Sequence, residues 1–194
     1  MNIEIIVDNA RKGGYNAILQ LKNISTNEYN PYADRVLESI YYDGNKNHAV
    51  GTIYLREGIK EIKPEEFMNC KKLEKAIFPD TLQVIGKDAF LGCVRLTEIT
   101  FKDNLIEICE SAFYGCDALK KIKFPNSLTK ISPYAFLNCD LTEIIFPSNL
   151  ISIGRWAFQG NNKLERITYH RQTESILKKY FSNYIWSNLQ KTVI

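Results

Sequence analysis

The sequence predicts a solenoid, in which short parallel β-strands stack one above another and are joined by tight turns. The first observation is a set of phenylalanines whose sequence spacings are 23, 23, 23 and 22 residues. They are Phe67, Phe90, Phe113, Phe136 and Phe158. The second is a set of cysteines with the same period: Cys70, Cys93, Cys116 and Cys139. A fixed period of this length is typical of stacked supersecondary units.

Each unit contains two apolar segments. The segments that precede the phenylalanines are 59–62, 82–85, 105–108, 128–131 and 150–153. The Leu-x-x-Ile-x-Phe-type segments that follow them are 73–78, 96–101, 119–124, 141–146 and 164–169, with 50–55 as a leading half-unit. Their alternation predicts strands with the apolar residues inside the stack. Pro79, Pro125 and Pro147 end the strands, because proline cannot donate to a β-ladder.

A tight bend is predicted just after each phenylalanine. The residue two positions further on is always Gly or Asn: Asn69, Gly92, Gly115, Asn138 and Gly160. These two residue types best tolerate the left-handed conformation that closes a short helical turn. We therefore interpret this position as a backbone requirement and not as a binding motif.

The whole pattern, L-x-x-I-x-x-x-A-F-x-x-C-x-x-L-x-x-I-x-F-P, resembles the BspA-like leucine-rich repeats of bacterial surface proteins and some protists. The resemblance covers about residues 48–170, and five units agree at seven or more positions. It implies a leucine-rich-repeat solenoid of about five repeats that binds a partner. It does not identify a ligand.

Both ends of a solenoid need a cap. Residues 1–47 do not fit the repeat and are predicted to form an N-terminal α/β cap, 48–170 the repeats, and 171–194 a C-terminal capping helix. One helical face carries Ile176, Leu177, Tyr180, Phe181, Tyr184, Ile185 and Leu189. Thr173 is the expected N-cap, and Lys178 and Lys179 are expected to face solvent. The same stripe could alternatively receive a partner helix.

Composition limits the classes of function. The 25 basic and 22 acidic residues give a net charge of +3, which is too balanced to indicate nucleic-acid binding by itself. An apolar run of 18 residues is absent, so no membrane span is predicted. The first residues lack the features of a signal peptide. We therefore expect a cytoplasmic protein, or a secreted one if Met1 is not the natural start.

The cysteines do not indicate a metal site. Ligands placed in a line cannot surround a zinc ion tetrahedrally, and parallel side chains disfavour disulfides. We expect the four periodic thiols to be buried and reduced, and no cofactor is predicted. Cys109 lies outside this series and is the candidate reactive thiol.

Catalytic patterns are also missing from the sequence. The two histidines, His48 and His170, are about six repeat steps apart, roughly 25–30 Å at the usual strand spacing. They cannot share a site unless the caps fold back. The prediction is a protein without enzymatic activity.

The outward positions of the Leu-x-x-Ile-x-Phe strands suggest where a partner binds. One row alternates in charge: Lys75, Glu98, Lys121, Glu143 and Arg166. We expect it to be a ladder of ion pairs, although it could be a recognition strip. The next row offers the anchor candidates Tyr54, Ile77, Lys123 and Ile145, and Lys102 lies one row beyond.

A second candidate surface lies at the turns of the last two units. Tyr134 and Trp156 occupy a position that is Glu65, Asp88 or Ser111 elsewhere. Exposed Tyr and Trp are typical of interaction hot spots. The alternative is that the C-terminal cap covers them.

Three hypotheses of function follow from these patterns. The first is a protein–protein interaction module that binds its partner through the exposed strand face. The second is an intracellular inhibitor or immunity-type protein, of bacterial or phage origin, that blocks an enzyme or ribonucleoprotein by occlusion. The third is contact with nucleic acid through Lys102, Lys121, Lys123 and Lys130. The oligomeric state cannot be inferred from the sequence.

Overall fold

The computed structural model describes residues 50–55, 58–181 and 183–194, and its strands lie on two faces. The first face holds β1 (Val50–Tyr54), β3 (Lys72–Ile77), β5 (Glu98–Thr100), β7 (Lys121–Lys123), β9 (Glu143–Ile145) and β11 (Arg166–Tyr169). The second holds β2 (Glu61–Ile62), β4 (Val84–Ile85), β6 (Glu107–Ile108), β8 (Lys130–Ile131) and β10 (Ser152–Ile153). The strands are followed by a 3₁₀ turn (Arg171–Thr173), by two helices, α1 (Glu174–Tyr180) and α2 (Asn183–Asn188), and by a last strand, β12 (Gln190–Val193).

All the strand pairs are parallel, and each strand pairs with its counterpart in the neighbouring unit. The second face is one five-stranded sheet in the order β2-β4-β6-β8-β10. The first face is divided into β1-β3-β5 and β7-β9-β11-β12, so β5 and β7 belong to separate sheets. These features confirm the predicted solenoid of stacked parallel strands.

The predicted phenylalanine ladder is the centre of the core. The five rings stack in order with centroids 4.9, 5.1, 5.1 and 5.4 Å apart and interplanar angles of 12° or less. All five are buried. A second column, Phe78, Phe101, Phe124 and Phe146, runs beside it at 5.8–6.0 Å between neighbours. Offset aromatic contacts of this kind contribute about 0.5–1.5 kcal/mol beyond the burial of apolar area.

Each turn contains two residues in the left-handed region, four positions apart. The Gly or Asn position was predicted, and it has φ of 53–79° in all five units. The other position was not predicted: Glu65, Asp88, Ser111, Tyr134 and Trp156 have φ of 53–61°. A bulky side chain is unfavourable there. Because every unit shares the conformation, it is a requirement of the turn and not strain peculiar to the two aromatic residues.

Two turns pair a proline with a glycine in the next unit. A Cβ atom on Gly86 would lie 2.5 Å from the carbonyl oxygen of Ile62 and 2.8 Å from the nitrogen of Pro64. A Cβ atom on Gly154 would likewise collide with the backbone of Pro133. Where the preceding unit has no proline at this position, the next unit carries Cys109 or Ser132. The glycines thus permit a close approach to the backbone at the proline, and at Gly154 also to the Pro133 ring.

The C-terminal segment covers the last repeat, but its form differs from the single predicted helix. Phe181 has an extended backbone (φ −77°, ψ 128°), and it divides the segment into α1 and α2. Leu189 then leads into β12, which pairs in parallel with β11. Leu177, Phe181 and Leu189 are buried, whereas Ile185 is 45% exposed and does not belong to the packed face.

Thr173 is the N-cap residue of α1, as predicted, but its side chain does not cap the helix. Its hydroxyl donates to the carbonyl oxygen of His170 (2.8 Å) and makes no capping bond to the helix amides. Lys178 and Lys179 are exposed as predicted, and Lys178 pairs with Glu174 at 2.8 Å. The predicted N-terminal cap and His48 lie outside the described residues, and the domain boundaries stay predictions. No described helix has the length and apolarity needed to span a membrane.

Candidate binding surfaces

The alternating charges on the first face form ion pairs between strands. Lys75 contacts Glu98 at 2.8 Å, and the carboxylate of Glu143 accepts from Lys121 at 3.1 Å and from Arg166 at 3.3 Å. The hydrogen bonds from Lys121 and Arg166 lower the pKa of Glu143. This confirms the predicted ladder on each side of the division between β5 and β7, across which Glu98 and Lys121 form no ion pair among the described residues. Exposed pairs of this kind contribute about 0–1 kcal/mol each, so the row mainly neutralises itself.

The next row along the strands, here called the outer row, contains Ile77, Thr100, Lys123, Ile145 and Thr168. Ile77 and Ile145 are half-buried, so they are less exposed than their outward position on the strands predicted. On the adjacent strands Ile77 lies beside Thr100, and Ile145 lies between Lys123 and Thr168. Lys123 is exposed next to Ile145, and its ammonium has no ion pair among the described residues. The side chain of Tyr54 lies outside the described part of the chain.

Three of the four lysines that suggested nucleic-acid contact are paired with acids. Lys102, which is half-buried, lies 3.5 Å from Asp80, and Lys121 bonds to Glu143. Lys130 bonds to Glu107 at 2.8 Å. A binding site for phosphates needs basic groups whose charge is not already neutralised. The arrangement therefore does not favour nucleic acid.

The turn edge of the last two units brings the predicted aromatic pair together. The rings of Tyr134 and Trp156 have centroids 5.3 Å apart, and the guanidinium of Arg155 lies 3.4 Å from the centre of the Trp156 ring. Trp156 is 38% exposed and Tyr134 is half-buried, so the C-terminal segment does not cover the pair. The guanidinium attracts the face of the indole ring.

The four periodic cysteines are buried, as predicted, and none of them forms a disulfide with another described residue. Each later thiol donates to the carbonyl oxygen of the phenylalanine one unit back, as Cys93 does to Phe67 at 3.1 Å. In the fifth unit Asn161 takes this position, and its amide donates to Phe136 at 2.8 Å. The role of Asn161 could be found only by aligning position 161 with the cysteines. Among the described residues, no group of His, Cys, Asp or Glu is arranged to hold a metal ion.

We expect Cys109 to react slowly although it is half-exposed. Burial, followed by the nearby Glu107 carboxylate, raises the pKa of Cys109 to about 11, so little thiolate exists at neutral pH. Burial raises the pKa of Cys139 to about 12. Titration with a chromogenic disulfide at pH 7.5 should show no rapidly reacting thiol in the native protein.

Denaturation should expose all five thiols, which serves as the control for this titration. The rate at Cys109 should rise about tenfold per pH unit between pH 8 and 10, because the reactive thiolate increases in that proportion below the pKa. Two or more rapidly reacting thiols in the native protein would contradict the buried ladder.

With this geometry established, the chain is a leucine-rich-repeat solenoid by its fold. The family model for the BspA type leucine rich repeat region matches six copies, over residues 38–129 and 84–194. The chain therefore belongs to the BspA-type leucine-rich-repeat family. The match extends beyond residues 48–170, on which the sequence resemblance rests.

Three solved structures illustrate the relationship. The Treponema pallidum leucine-rich repeat protein TpLRR is 30% identical over 62% of this chain, with a TM-score of 0.58. A leucine-rich cell surface protein of Faecalibacterium prausnitzii is 30% identical over 72% (TM-score 0.59). A leucine-rich repeat protein of Bacteroides ovatus is 25% identical over 75% (TM-score 0.59). The chain spans 58%, 34% and 42% of their respective lengths. Comparison with curated proteins gives no match.

These likenesses define the general class of function. The leucine-rich-repeat fold is in general that of a protein-interaction module, and no enzyme family is indicated.

Proposed function

We propose that this protein is a non-catalytic interaction module that binds a protein partner through the outer row of the first face. The observation that carries the proposal is the pairing of the charged row within the stack. Because those charges already satisfy one another, a partner gains little by contacting them. The adjacent outer row has aliphatic surface at Ile77 and Ile145 and an unneutralised ammonium at Lys123.

The shape of the first face supports this assignment. Parallel strands of successive units present their outer rows side by side, so one partner surface can contact several units at once. Aliphatic anchors with a charged neighbour suit a protein surface better than a periodic polymer, since the row does not repeat one residue type. The F. prausnitzii relative is a cell surface protein, which supports an adhesion or surface-recognition context for this family.

We expect the double variant Ile77→Asp, Ile145→Asp to bind its partner at least tenfold more weakly, about 1.4 kcal/mol. Two buried carboxylates would each have to be desolvated at the interface. The measurement compares proteins captured from source cells by the wild-type and variant chains. Each candidate is then titrated in purified form by calorimetry at two salt concentrations. Affinity should change only modestly with salt, because the contacts are mainly apolar.

The matched control is the variant Val94→Asp, Ile106→Asp. It adds the same charge at two exposed aliphatic positions away from the outer row, and it should bind like the wild type. Equal affinity of both double variants, together with unchanged circular dichroism spectra, would show that the outer row is not the interface.

The turn edge is a second candidate for the interface. It is favoured by the exposure of Trp156 beside Tyr134, at a position that is Glu, Asp or Ser in the earlier units. If Trp156→Ala abolishes binding while the outer-row variant does not, the interface lies at the last two turns. The more specific role of an inhibitor or immunity protein in the cytoplasm stays a hypothesis from the sequence.

A further inference from the structure

The two faces of the solenoid end differently at the C-terminus. On the first face β12 pairs with β11 and continues the sheet. On the second face β10 is the last strand, and a groove lies between it and the two C-terminal helices. This end groove has a volume of about 480 Å³. The lining residues that matter here are Ile151, Ile153, Arg155, Trp156, Lys179 and Ile185.

The backbone of β10 presents hydrogen-bonding groups along this groove. In the earlier units, the carbonyl oxygens equivalent to that of Ile153 accept a bond from the next unit at 2.7–2.9 Å. The amides equivalent to that of Trp156 likewise donate to the next unit, at 2.9–3.1 Å. Among the described residues, neither Ile153 O nor Trp156 N has such a partner. These are the groups that an added parallel strand would satisfy.

Apolar surface surrounds these backbone groups. The four counterparts of Ile153 in the earlier units are buried, whereas Ile153 itself is half-buried, because no further unit lies over it. Ile151 is 73% exposed, the highest value among the large apolar side chains of the described residues. Ile185 of α2 and Trp156 also line the groove. An aliphatic side chain over Ile153 would therefore bury surface that is now in water.

The charges of the groove indicate the chemistry of its occupant. The charged lining residues, Arg155 and Lys179, are both basic. Arg155 occupies the position that Lys87 has in an earlier unit, and Lys87 bonds to Glu110 of the next unit at 3.1 Å. An acidic side chain at the position of Glu110 would meet the guanidinium of Arg155 in the same way. An Arg–carboxylate pair stabilises such a contact and fixes the register of the bound strand.

The cap limits the length of the occupant. The amide of Phe158 donates to the hydroxyl of Tyr180 at 2.7 Å, which replaces the bond to a following unit. The ring of Phe181 lies over Phe158 with centroids 6.4 Å apart and takes the place of the next phenylalanine. The positions that remain open correspond to the segment 105–110 of a following unit, about six residues.

We propose that the end groove binds an extended segment of a partner protein as a sixth parallel strand of the five-stranded sheet. The segment carries an aliphatic residue that packs on Ile153 and, two positions later, an acidic residue that pairs with Arg155. This site is separate from the outer row, so it can be tested independently of the function proposed above.

The test uses a peptide taken from the chain's own repeat, Ac-LIEISES-NH2, which is residues 105–111 with Cys109→Ser. Titrated into the ¹⁵N-labelled full-length protein, it should shift the amide signals of Ile151 to Trp156 and the indole signal of Trp156. A second peptide with Glu110→Lys should bind at least fivefold more weakly. In Arg155→Glu protein this preference should reverse. The control variant Lys71→Glu, at an exposed lysine away from the groove, should retain the wild-type preference.

Three outcomes would overturn the proposal. The first is the absence of shifts at Ile151 to Trp156 at millimolar peptide. The second is a preference between the two peptides below twofold that Arg155→Glu does not alter. The third is a change in the same signals with protein concentration alone, which would assign the groove to a second copy of the chain.

Discussion

Replacing Phe113 with alanine should lower the free energy of unfolding by about 3–5 kcal/mol. Its ring is fully buried and stacks between Phe90 and Phe136, with both centroids 5.1 Å away. The cavity would lie in the middle of the ladder, where the stacked backbones on either side limit collapse. Urea denaturation followed by circular dichroism measures the change directly.

The neighbouring residue provides a matched control for this prediction. Tyr114 is also aromatic, but it is 37% exposed at the turn. Tyr114→Ala should therefore change the free energy of unfolding by no more than about 0.5 kcal/mol. A loss below about 1 kcal/mol for Phe113→Ala would mean that the ladder does not carry the stability of the stack.

Truncation after His170 should destabilise the whole solenoid and cause aggregation. It removes the buried side chains of Leu177, Phe181 and Leu189, each worth about 1.5–3 kcal/mol, and uncovers Phe158. It also removes β12, which leaves β11 as an open edge that can pair with other molecules. Thermal denaturation and light scattering would reveal both effects.

Two point variants distinguish the effect of lost packing from the effect of a shortened chain. Phe181→Ala should cost about 3–5 kcal/mol, because the ring is buried against Phe158 and Phe146. Ile185→Ala, at an exposed position of the same segment, should have little effect. A soluble truncated chain with an unchanged melting temperature would show that the segment does not act as a cap.

The fold could be predicted from the sequence because each unit repeats the same physical requirements. The buried phenylalanines, the inward leucines and the Gly or Asn turn position recur at one period, so five independent copies support each assignment. The division between β5 and β7 could not be predicted. The alternation of charge continues across the division, from Glu98 on β5 to Lys121 on β7. The local sequence departs from the repeat pattern only at Lys102, which stands where the neighbouring units have proline.

The C-terminal segment shows where helical periodicity stops being informative. The apolar pattern continues through Phe181 without a proline or glycine, although the chain becomes extended there. The break lets Phe181 pack on Phe158 while β12 pairs with β11, and both contacts depend on the packed stack and not on the local sequence. Ile185 was predicted to lie on the packed face because the helical pattern was extended through Phe181. It is exposed because the helix ends there.

The candidate surfaces were predicted only in part. The ion pairs of the charged row follow from the parallel register, and they form as predicted within each sheet but not between Glu98 and Lys121. The exposure of Ile77 and Ile145 depends on the side chains of adjacent strands, which a residue row alone does not reveal. The end groove carries no motif of its own, since it arises from the absence of a following unit. The binding roles of all these residues stay predictions.

The match between proline and glycine in successive turns limits how this protein can grow by duplication. A unit that carries a proline at position 64 or 133 is followed by one with glycine at the facing position, because a Cβ there would collide with the backbone at the proline. Copying the unit of Pro133 in tandem would place Ser132 against that proline. A copy of the unit of Gly86, which carries Lys87 in place of the proline, would cause no such collision, so only units without the proline can be duplicated singly.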